Sequence, residues 1–530
     1  MSENGQSCPV RGASLPRMPD ACLPPLPDPH ACEQARRSRD PRFDGLFFTA
    51  VHSTRTYCRP VCPAPWATRV RYYRTAAAAE ADGYRPCLRC RPELAPGDGA
   101  WRRGDAVLAR ALKLIEQGFL GEHPLSALAA RVNLGERQLR RLFVERIGAP
   151  PIAVHGTRRL LFAKQLLADT ALPVTDVAMA AGFGSVRRFN AGFQAAYRMA
   201  PTQLRKRASE RQPQDGDALV LRLAYRPPYD FPAMLDFLRG RALPGVETVD
   251  AGRYARVIPA GDGAPAGWLR IGQWPGAGGP AHALRLELDP AQAPRLMVIV
   301  ARLRRMFDLD ADPDAIAAVL RADPRLRPLL RKRPGLRIPS GWDGFEIAVR
   351  AILGQQVSVA AARTFAARTA QRFGDALPAP FAPGLDRVFP TPAQLAGADL
   401  TQIGLTRTRA AAVRTVARGV LSGEVDFRVD RTLEDFVARW TALPGIGAWT
   451  AHYIALRAMG HPDAFPADDL VLQKALPGDG RRLSAAALSA HAQRWRPWRA
   501  YAVLQLWREA MAVAPRTPAA ARGRARGRAA

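Results

Sequence analysis

Residues 443–460 read LPGIGAWTAHYIALRAMG. One proline and two glycines within four residues force a tight turn, and the helix that opens after it presents unpaired backbone N–H groups at its N-terminus. Such an end is a ready site for a phosphate. Leu443 and Ile446 can seal the hairpin from beneath, leaving the backbone of Gly445, Ile446 and Gly447 for such a group. A single turn of this kind is common, so its surroundings carry the reading. Upstream stands FEIAVRAILGQQVSVAAART (345–364), and downstream FPADDL (465–470) places Asp469 twenty residues after Trp449. An aspartate pair ahead of a helix is ordinarily an N-cap. A buried carboxylate among aromatic side chains is the alternative with chemical content.

The whole chain supports a polyanionic partner. It has 530 residues, more than one hydrophobic core usually serves, with 77 Lys plus Arg against 47 Asp plus Glu and a formal charge of +30. Arginine far outnumbers lysine, and it is abundant together with alanine, proline and glycine, as a GC-rich genome would produce. Charge alone therefore does not decide the partner. No apolar run is long enough for a membrane span and no export signal opens the chain, so a cytoplasmic location without membrane contact is expected. Met18 is a second candidate start.

All seven cysteines lie within the first ninety residues. Cys8, Cys22 and Cys32 fall in a proline-rich leader, read as irregular, and look incidental. Cys58 and Cys62 in TYCRPVCPAPW (56–66), with Cys87 and Cys90 in RPCLRC (85–90), have the spacing of a tetrahedral Zn(II) site, one ion per chain. In a small module, metal binding supplies much of the folding free energy. Arginines crowd the same segment, interleaved with Tyr57, Tyr72, Tyr73 and Tyr84, a texture suited to a phosphate backbone.

The expected organisation is multidomain α+β. It comprises a disordered leader (1–38), a zinc module (39–95), an all-α tandem helix-turn-helix domain (104–207), a linker (208–217), an α+β domain with an antiparallel sheet (218–335), an all-α helix-hairpin-helix domain (336–513) and a basic disordered tail (514–530). The first helix-turn-helix unit has Ser126 as a cap, a turn at Asn133 to Gly135, and a second helix exposing Arg137, Gln138, Arg140 and Arg141. The second turns at Gly182 to Gly184 and exposes Arg187, Arg188 and Asn190. The period-two segments ALVLRLAYR (218–226) and HALRLELD (282–289) read as strands.

Three resemblances follow from these motifs. FFTAVHSTRTYCRPVC (47–62) through GYRPCLRCRPE (83–93) resembles the N-terminal domain of the Ada family of methylation-repair activators. That likeness implies that Cys58 both ligates zinc and takes a methyl group from a DNA methyl phosphotriester, while Cys62, Cys87 and Cys90 only hold the metal. The tandem units resemble the DNA-binding domain of AraC-type regulators, which implies promoter recognition on double-stranded DNA and RNA polymerase as a partner. Residues from Tyr225 to Trp507, including RWRPWRAYAVLQLW (494–507), resemble the helix-hairpin-helix DNA glycosylases, specifically the AlkA-type 3-methyladenine DNA glycosylase II.

The glycosylase resemblance implies Asp469 as the carboxylate that supports an oxocarbenium-like sugar, with Asp468 structural. Trp449, Tyr453 and Trp507 would line the pocket for the flipped base, Gln356 would stand at the DNA-wedging position where the family has leucine, and Leu470 stands where it has tyrosine. A monovalent cation at the hairpin belongs to the same expectation. Trp449 occupies the place of the Schiff-base lysine of bifunctional relatives, so an abasic site is the expected product. With no cysteine after Cys90, neither an iron-sulfur cluster nor an O6-alkylguanine transferase motif is present. The sequence therefore points to a glycosylase for alkylated purines joined to a regulatory methyl acceptor. The alternatives are a regulator with a non-catalytic glycosylase-like half, or a glycosylase for deaminated or oxidised bases.

Overall fold

The computed structural model describes residues 27–65, 67–97, 106–209, 218–261, 263–275, 281–428, 431–477 and 481–513. The basic tail, Cys8 and Cys22, and residues 210–217 of the expected linker lie outside them.

The metal module is a four-stranded sheet in the order β3-β1-β2-β4, where β1 is Phe48–Val51, β2 Thr56–Cys58, β3 Val70–Tyr73 and β4 Arg85–Pro86. The pairing of β2 with β4 matters most, because it is parallel and sets Tyr57 opposite Pro86. Each strand then ends at a cysteine pair, so register alone brings Cys58 beside Cys87. The core beneath is small: Phe48, Ala50, Tyr57, Tyr73, Ala76, Ala79 and Tyr84.

The leader does not run to residue 38 as irregular chain. Pro29–Ser38 is a helix with proline at its first turn, where the missing N–H is no loss, and it buries Cys32 and Ala35 against Phe47. Cys32 is therefore a core residue of the module, and burial, then the charge of Asp28, pushes its thiol up to about 12.

In the helix-turn-helix region, Leu125–Arg131 and Glu136–Ile147 form the first unit and Val174–Ala180 and Val186–Tyr197 the second, with the long helix Pro151–Asp169 between them. Ser126 is not a cap, since Pro124 precedes the helix and Ser126 lies inside it. The left-handed backbone at Asn133 (φ 59°) and Gly182 (φ 77°) makes the two turns.

The next domain is a five-stranded antiparallel sheet in the order β5-β9-β8-β7-β6, comprising β5 Leu219–Ala224, β6 Glu247–Asp250, β7 Arg253–Ile258, β8 Gly267–Gln273 and β9 Ala283–Leu288. Leu219, Leu221 and Leu223 alternate onto the buried face, opposite Leu288, Leu286 and Leu284. These leucines share one apolar core with Val177, Phe189 and Phe193 of the second helix-turn-helix unit. Regulatory and repair halves are thus packed together, not merely tethered. Polar staples reinforce the junction: Arg226, fully buried, donates to the carbonyls of Asp44 in the metal module (3.0 Å) and of Asp310 (3.1 Å). Arg91 of the module pairs with Asp169 at 2.7 Å, and Glu93 pairs with Lys164 of the long helix.

Helices from Gly344 to Val513 surround a second, larger core, with Phe345, Ile352, Val413, Trp440, Ile454 and Val503 inside it. A buried ionic network ties this domain to the sheet: Arg350 meets Glu247 (2.9 Å) and Glu346 (2.8 Å), and Arg256 meets Glu346 (3.0 Å).

Candidate active site and metal centre

Helix Ala448–Met459 begins at Gly447 with no side-chain cap, so its first N–H groups remain available. The turn before it needs glycine: Gly445 has φ 87°, and a Cβ there would lie 2.9 Å from Ala412 Cβ. Leu443 and Ile446 are both buried under the hairpin, which leaves Ile446 only its backbone to offer DNA. The carbonyl of Gly445 accepts from Gln355 Nε2 at 3.0 Å, and the same amide donates to Thr450 Oγ1 at 3.1 Å. Gln355 thereby joins the hairpin to the neighbouring turn, where Gln356 is exposed with a left-handed backbone (φ 55°). The sequence reading passed over Gln355.

One turn of that helix further in, Trp449 and Tyr453 stack with ring centres 5.0 Å apart and planes 13° from parallel. Trp507, from helix Arg499–Val513, lies 6.3 Å from Tyr453. The three rings line a cavity of about 500 Å³ together with Phe237, Arg457 and Asp469. Asp469 is both a cap and a pocket residue. Its Oδ1 accepts from the N–H groups of Val471 and Leu472, each at 3.0 Å, and from Trp507 Nε1 at 3.2 Å, while Oδ2 accepts from Trp449 Nε1 at 2.9 Å. The N-cap reading of the aspartate pair therefore holds for Asp469, and the same residue lines the cavity. Oδ1 has spent its acceptor capacity on holding the group, and Oδ2 keeps a free direction. Asp468 is exposed, its charge bearing on His452.

In the metal module the Sγ atoms of Cys58, Cys62, Cys87 and Cys90 all lie within 4.8 Å of one another. Zinc–sulfur bonds of about 2.3 Å in a tetrahedron ask for sulfurs about 3.8 Å apart, so small side-chain rotations complete the site. Four sulfurs with no other donor suit one Zn(II). Backbone N–H groups of Arg59 and Arg89 approach Cys90 Sγ and Cys87 Sγ, both at 3.4 Å. Cys58 and Cys90 are the buried pair, and Cys62 and Cys87 are more open.

The tyrosines interleaved with arginine are turned into the fold, Tyr57, Tyr73 and Tyr84 buried and Tyr72 half-buried. Tyr57 is buried and donates to Glu80 at 2.9 Å, Tyr84 is bonded to His52 at 3.0 Å, Tyr73 donates to Asp82 at 2.5 Å and Tyr72 to Glu33. Tyr57, Tyr73 and Tyr84 fill this small core with each phenol tip reaching a polar partner, and Tyr72 packs beside Phe47. Arg59 and Arg91 are likewise turned inward, onto Asp44 and onto Glu93 with Asp169. Arg55, Arg69, Arg71 and Arg89 stay exposed.

On the helix-turn-helix units, Arg137, Gln138, Arg140 and Arg141 are all exposed on Glu136–Ile147, and Arg187, Arg188 and Asn190 on Val186–Tyr197. Arg140 pairs with Glu136 at 2.7 Å, Arg141 approaches Glu145 at 3.8 Å and Gln138 Oε1 accepts from the Gly135 N–H at 3.4 Å, which leaves Arg137 as the first unit's most available group.

An uncapped hairpin, an aromatic pocket and a fixed carboxylate, with a sulfur cluster and two helix-turn-helix units ahead of them, define the class: a base-excision DNA glycosylase fused to a metal-binding DNA-recognition region. Family descriptions match each part, namely the metal binding domain of Ada over residues 31–93, a helix-turn-helix domain over 128–207, the AlkA N-terminal domain over 220–343 and the HhH-GPD superfamily of base excision DNA repair proteins over 349–496. A probable bifunctional transcriptional activator/DNA repair enzyme AlkA of Mycobacterium tuberculosis is 40% identical over 484 residues, 90% of this chain and 95% of that protein. The chain belongs to that family. DNA-3-methyladenine glycosylase 2 of Escherichia coli is 37% identical over 54% of this chain and 95% of its own length, and the bifunctional Ada protein of the same organism is 38% identical over 28% of this chain and 41% of its own.

Proposed function

We propose that the C-terminal half hydrolyses the N-glycosidic bond of alkylated purines of the 3-methyladenine and 7-methylguanine type, and that Asp469 carries the reaction. The observation that supports this most is the placement of Asp469: two indole N–H groups and two backbone N–H groups orient it at the wall of an aromatic cavity. Alkylation at N3 or N7 makes the base a cationic leaving group, so the site needs little general acid. What it must supply is negative charge near the anomeric carbon as the C–N bond breaks, and Oδ2 has the free direction for that. Trp449, Tyr453 and Trp507 offer π-faces to the flipped cationic base. The hairpin N–H groups hold the DNA backbone, and Gln356, exposed at its turn, fills the stack. Water takes the sugar cation and leaves an abasic site. In a duplex-release assay the wild type frees 3-methyladenine or 7-methylguanine, and Asp469→Asn does so about 10²–10³-fold more slowly. Equal release by the two proteins would refute the assignment, and a panel of single-lesion duplexes would expose a preference for deaminated or oxidised bases.

The N-terminal half is proposed as a methyl-phosphotriester acceptor and transcriptional activator in the cytoplasm, acting on promoter DNA and RNA polymerase. Cys58, Cys62, Cys87 and Cys90 would hold Zn(II), which keeps their sulfurs as thiolates at neutral pH. The Cys58 sulfur attacks the methyl carbon in line, the C–O bond breaks, and the electron pair leaves on the phosphodiester oxygen. Four thiolates on zinc carry a formal charge of two minus, and methylation lowers it by one, so repulsion of DNA weakens. The family likeness supports Cys58, while Cys62 and Cys87 are the more open sulfurs. Peptide mapping after exposure to methyl-phosphotriester DNA should put one methyl on Cys58; a methyl on another cysteine, or none, would refute the role.

A further inference from the structure

The pocket wall carries two guanidinium groups for which the chemistry above has no use. Arg457, buried one turn along the helix from Tyr453, donates NH1 to the phenol oxygen at 3.0 Å and Nε to the carbonyl of Pro339. Arg241 lies 3.7 Å from the centre of the Phe237 ring, and Arg457 lies 4.6 Å from the same centre. Among the described residues neither cation has a carboxylate within ion-pair distance. The acids close by are committed: Glu247 and Glu346 to Arg350, Asp236 to Arg239 and Arg508, and Asp469 to the two indoles. Arg337 is spent on carbonyls of the chain, among them that of Asp308 at 2.9 Å. Arg241 donates NH1 to the carbonyl of Phe237, at 3.3 Å. Two cations without a carboxylate among the described residues therefore face one phenol whose ionised form would be their counter-charge.

This arrangement matters if the pocket receives alkylated bases, the reading on which the following step rests. We propose that Tyr453, positioned by Arg457 and Arg241, sets the pocket's specificity: as a phenolate it favours a positively charged flipped base over a neutral one, and as a phenol it loses most of that preference. The proton goes to solvent, and no bond to the base is formed. Burial alone would raise the phenol, but the charges and hydrogen bonds of Arg457 and Arg241 bring it down to about 8. Tyr254 shows the opposite case. It is buried and donates a hydrogen bond to Glu247 at 2.6 Å, and burial and that carboxylate push it far up, outweighing Arg256, whose NH1 donates to the phenol oxygen at 3.3 Å. The two phenols differ in that Tyr254 has a carboxylate acceptor beside its arginine, whereas among the described residues Tyr453 has arginines alone.

Two measurements on the full-length protein test this. Tyrosinate absorbance at 295 nm, taken as wild type minus Tyr453→Phe, should show one phenol titrating near pH 8, and Arg457→Lys or Arg241→Gln should move that titration upward. Single-turnover release of 3-methyladenine relative to hypoxanthine, corrected for enzyme-free loss, should rise about tenfold from pH 7 to 9, following the phenolate fraction, and be flat in Tyr453→Phe. Superimposable absorbance titrations, or a ratio that is flat in wild type or equal in the variant, would overturn the proposal. Failure of wild type to release any alkylated base would instead strike the glycosylase reading, while the absorbance titration still decides whether Tyr453 ionises.

Discussion

Cys58 and Asp469 are held by opposite means. The cysteine ends a three-residue strand in a module whose core is a handful of rings and alanines, and its position depends on the pairing of β2 with β4 and on a metal that four sulfurs share. The aspartate stands at the edge of a continuous apolar core, oriented by four N–H donors that need no ligand. A site built on a cofactor takes its stability with it when the cofactor leaves, whereas one built on packing and capping keeps its shape when its charge is removed.

Metal removal should separate the two most sharply. Zinc binding in structural sites of this kind is worth about 10–16 kcal/mol, so a strong chelator should open residues 29–95 to protease while base release by the C-terminal half persists. Joint loss of both would mean that the shared core and the Arg226 staple make the halves one cooperative unit. Next in size, Asp469→Asn should lower base release by about 10²–10³-fold. Asparagine caps a helix about as well as aspartate but leaves the Trp449 Nε1–H without its acceptor, so by calorimetry the loss of stability should not exceed that of one hydrogen bond, about 1–3 kcal/mol. A large drop in melting temperature would show that the carboxylate's role is structural.

The junction is the place where the comparison can fail. Arg226→Met leaves the carbonyls of Asp44 and Asp310 without their donor, at a cost of about 1–3 kcal/mol for each that water cannot reach, read by denaturant unfolding. Acid should loosen the same region. Burial works against the Glu93 carboxylate, but Lys164 and Arg91 hold it below the usual range. A depressed carboxyl contributes stability above its unfolded value of about 4.3, and that contribution is lost as pH falls through the folded value; Glu93→Gln should remove this share of the acid sensitivity, seen in hydrogen exchange. The smallest effect is expected on the exposed recognition helix. Arg137→Ala should leave stability within about 0.5 kcal/mol and reduce the salt slope of DNA binding by about one unit.

Much of this was legible from local pattern. Two cysteine pairs with short spacings name a metal site because a tetrahedral ion constrains ligand type and distance, and a Pro-Gly-Ile-Gly turn names a hairpin because only glycine reaches the backbone it requires. The alternation of Leu219, Leu221 and Leu223 likewise exposes a half-buried strand. Side-chain partners across the fold were not legible. Tyr57, Tyr72, Tyr73 and Tyr84 looked like a DNA-facing texture, yet each phenol finds a partner far along the chain or within the small core. Cys32 looked incidental because the helix that buries it has few apolar residues of its own.

By itself, then, the sequence determined the order of the domains, the four sulfurs and the hairpin, while the family likeness it carries pointed to Asp469 and its aromatic neighbours. Only the tertiary structure decided that Asp469 is cap and pocket residue at once, that the regulatory and repair halves share a core, and that Arg457 and Arg241 face Tyr453 without a carboxylate. The reason is range: covalent spacing and backbone conformation act over a few residues and leave a local trace, whereas burial, counter-charge and hydrogen-bond partnership are set by groups that folding alone brings together.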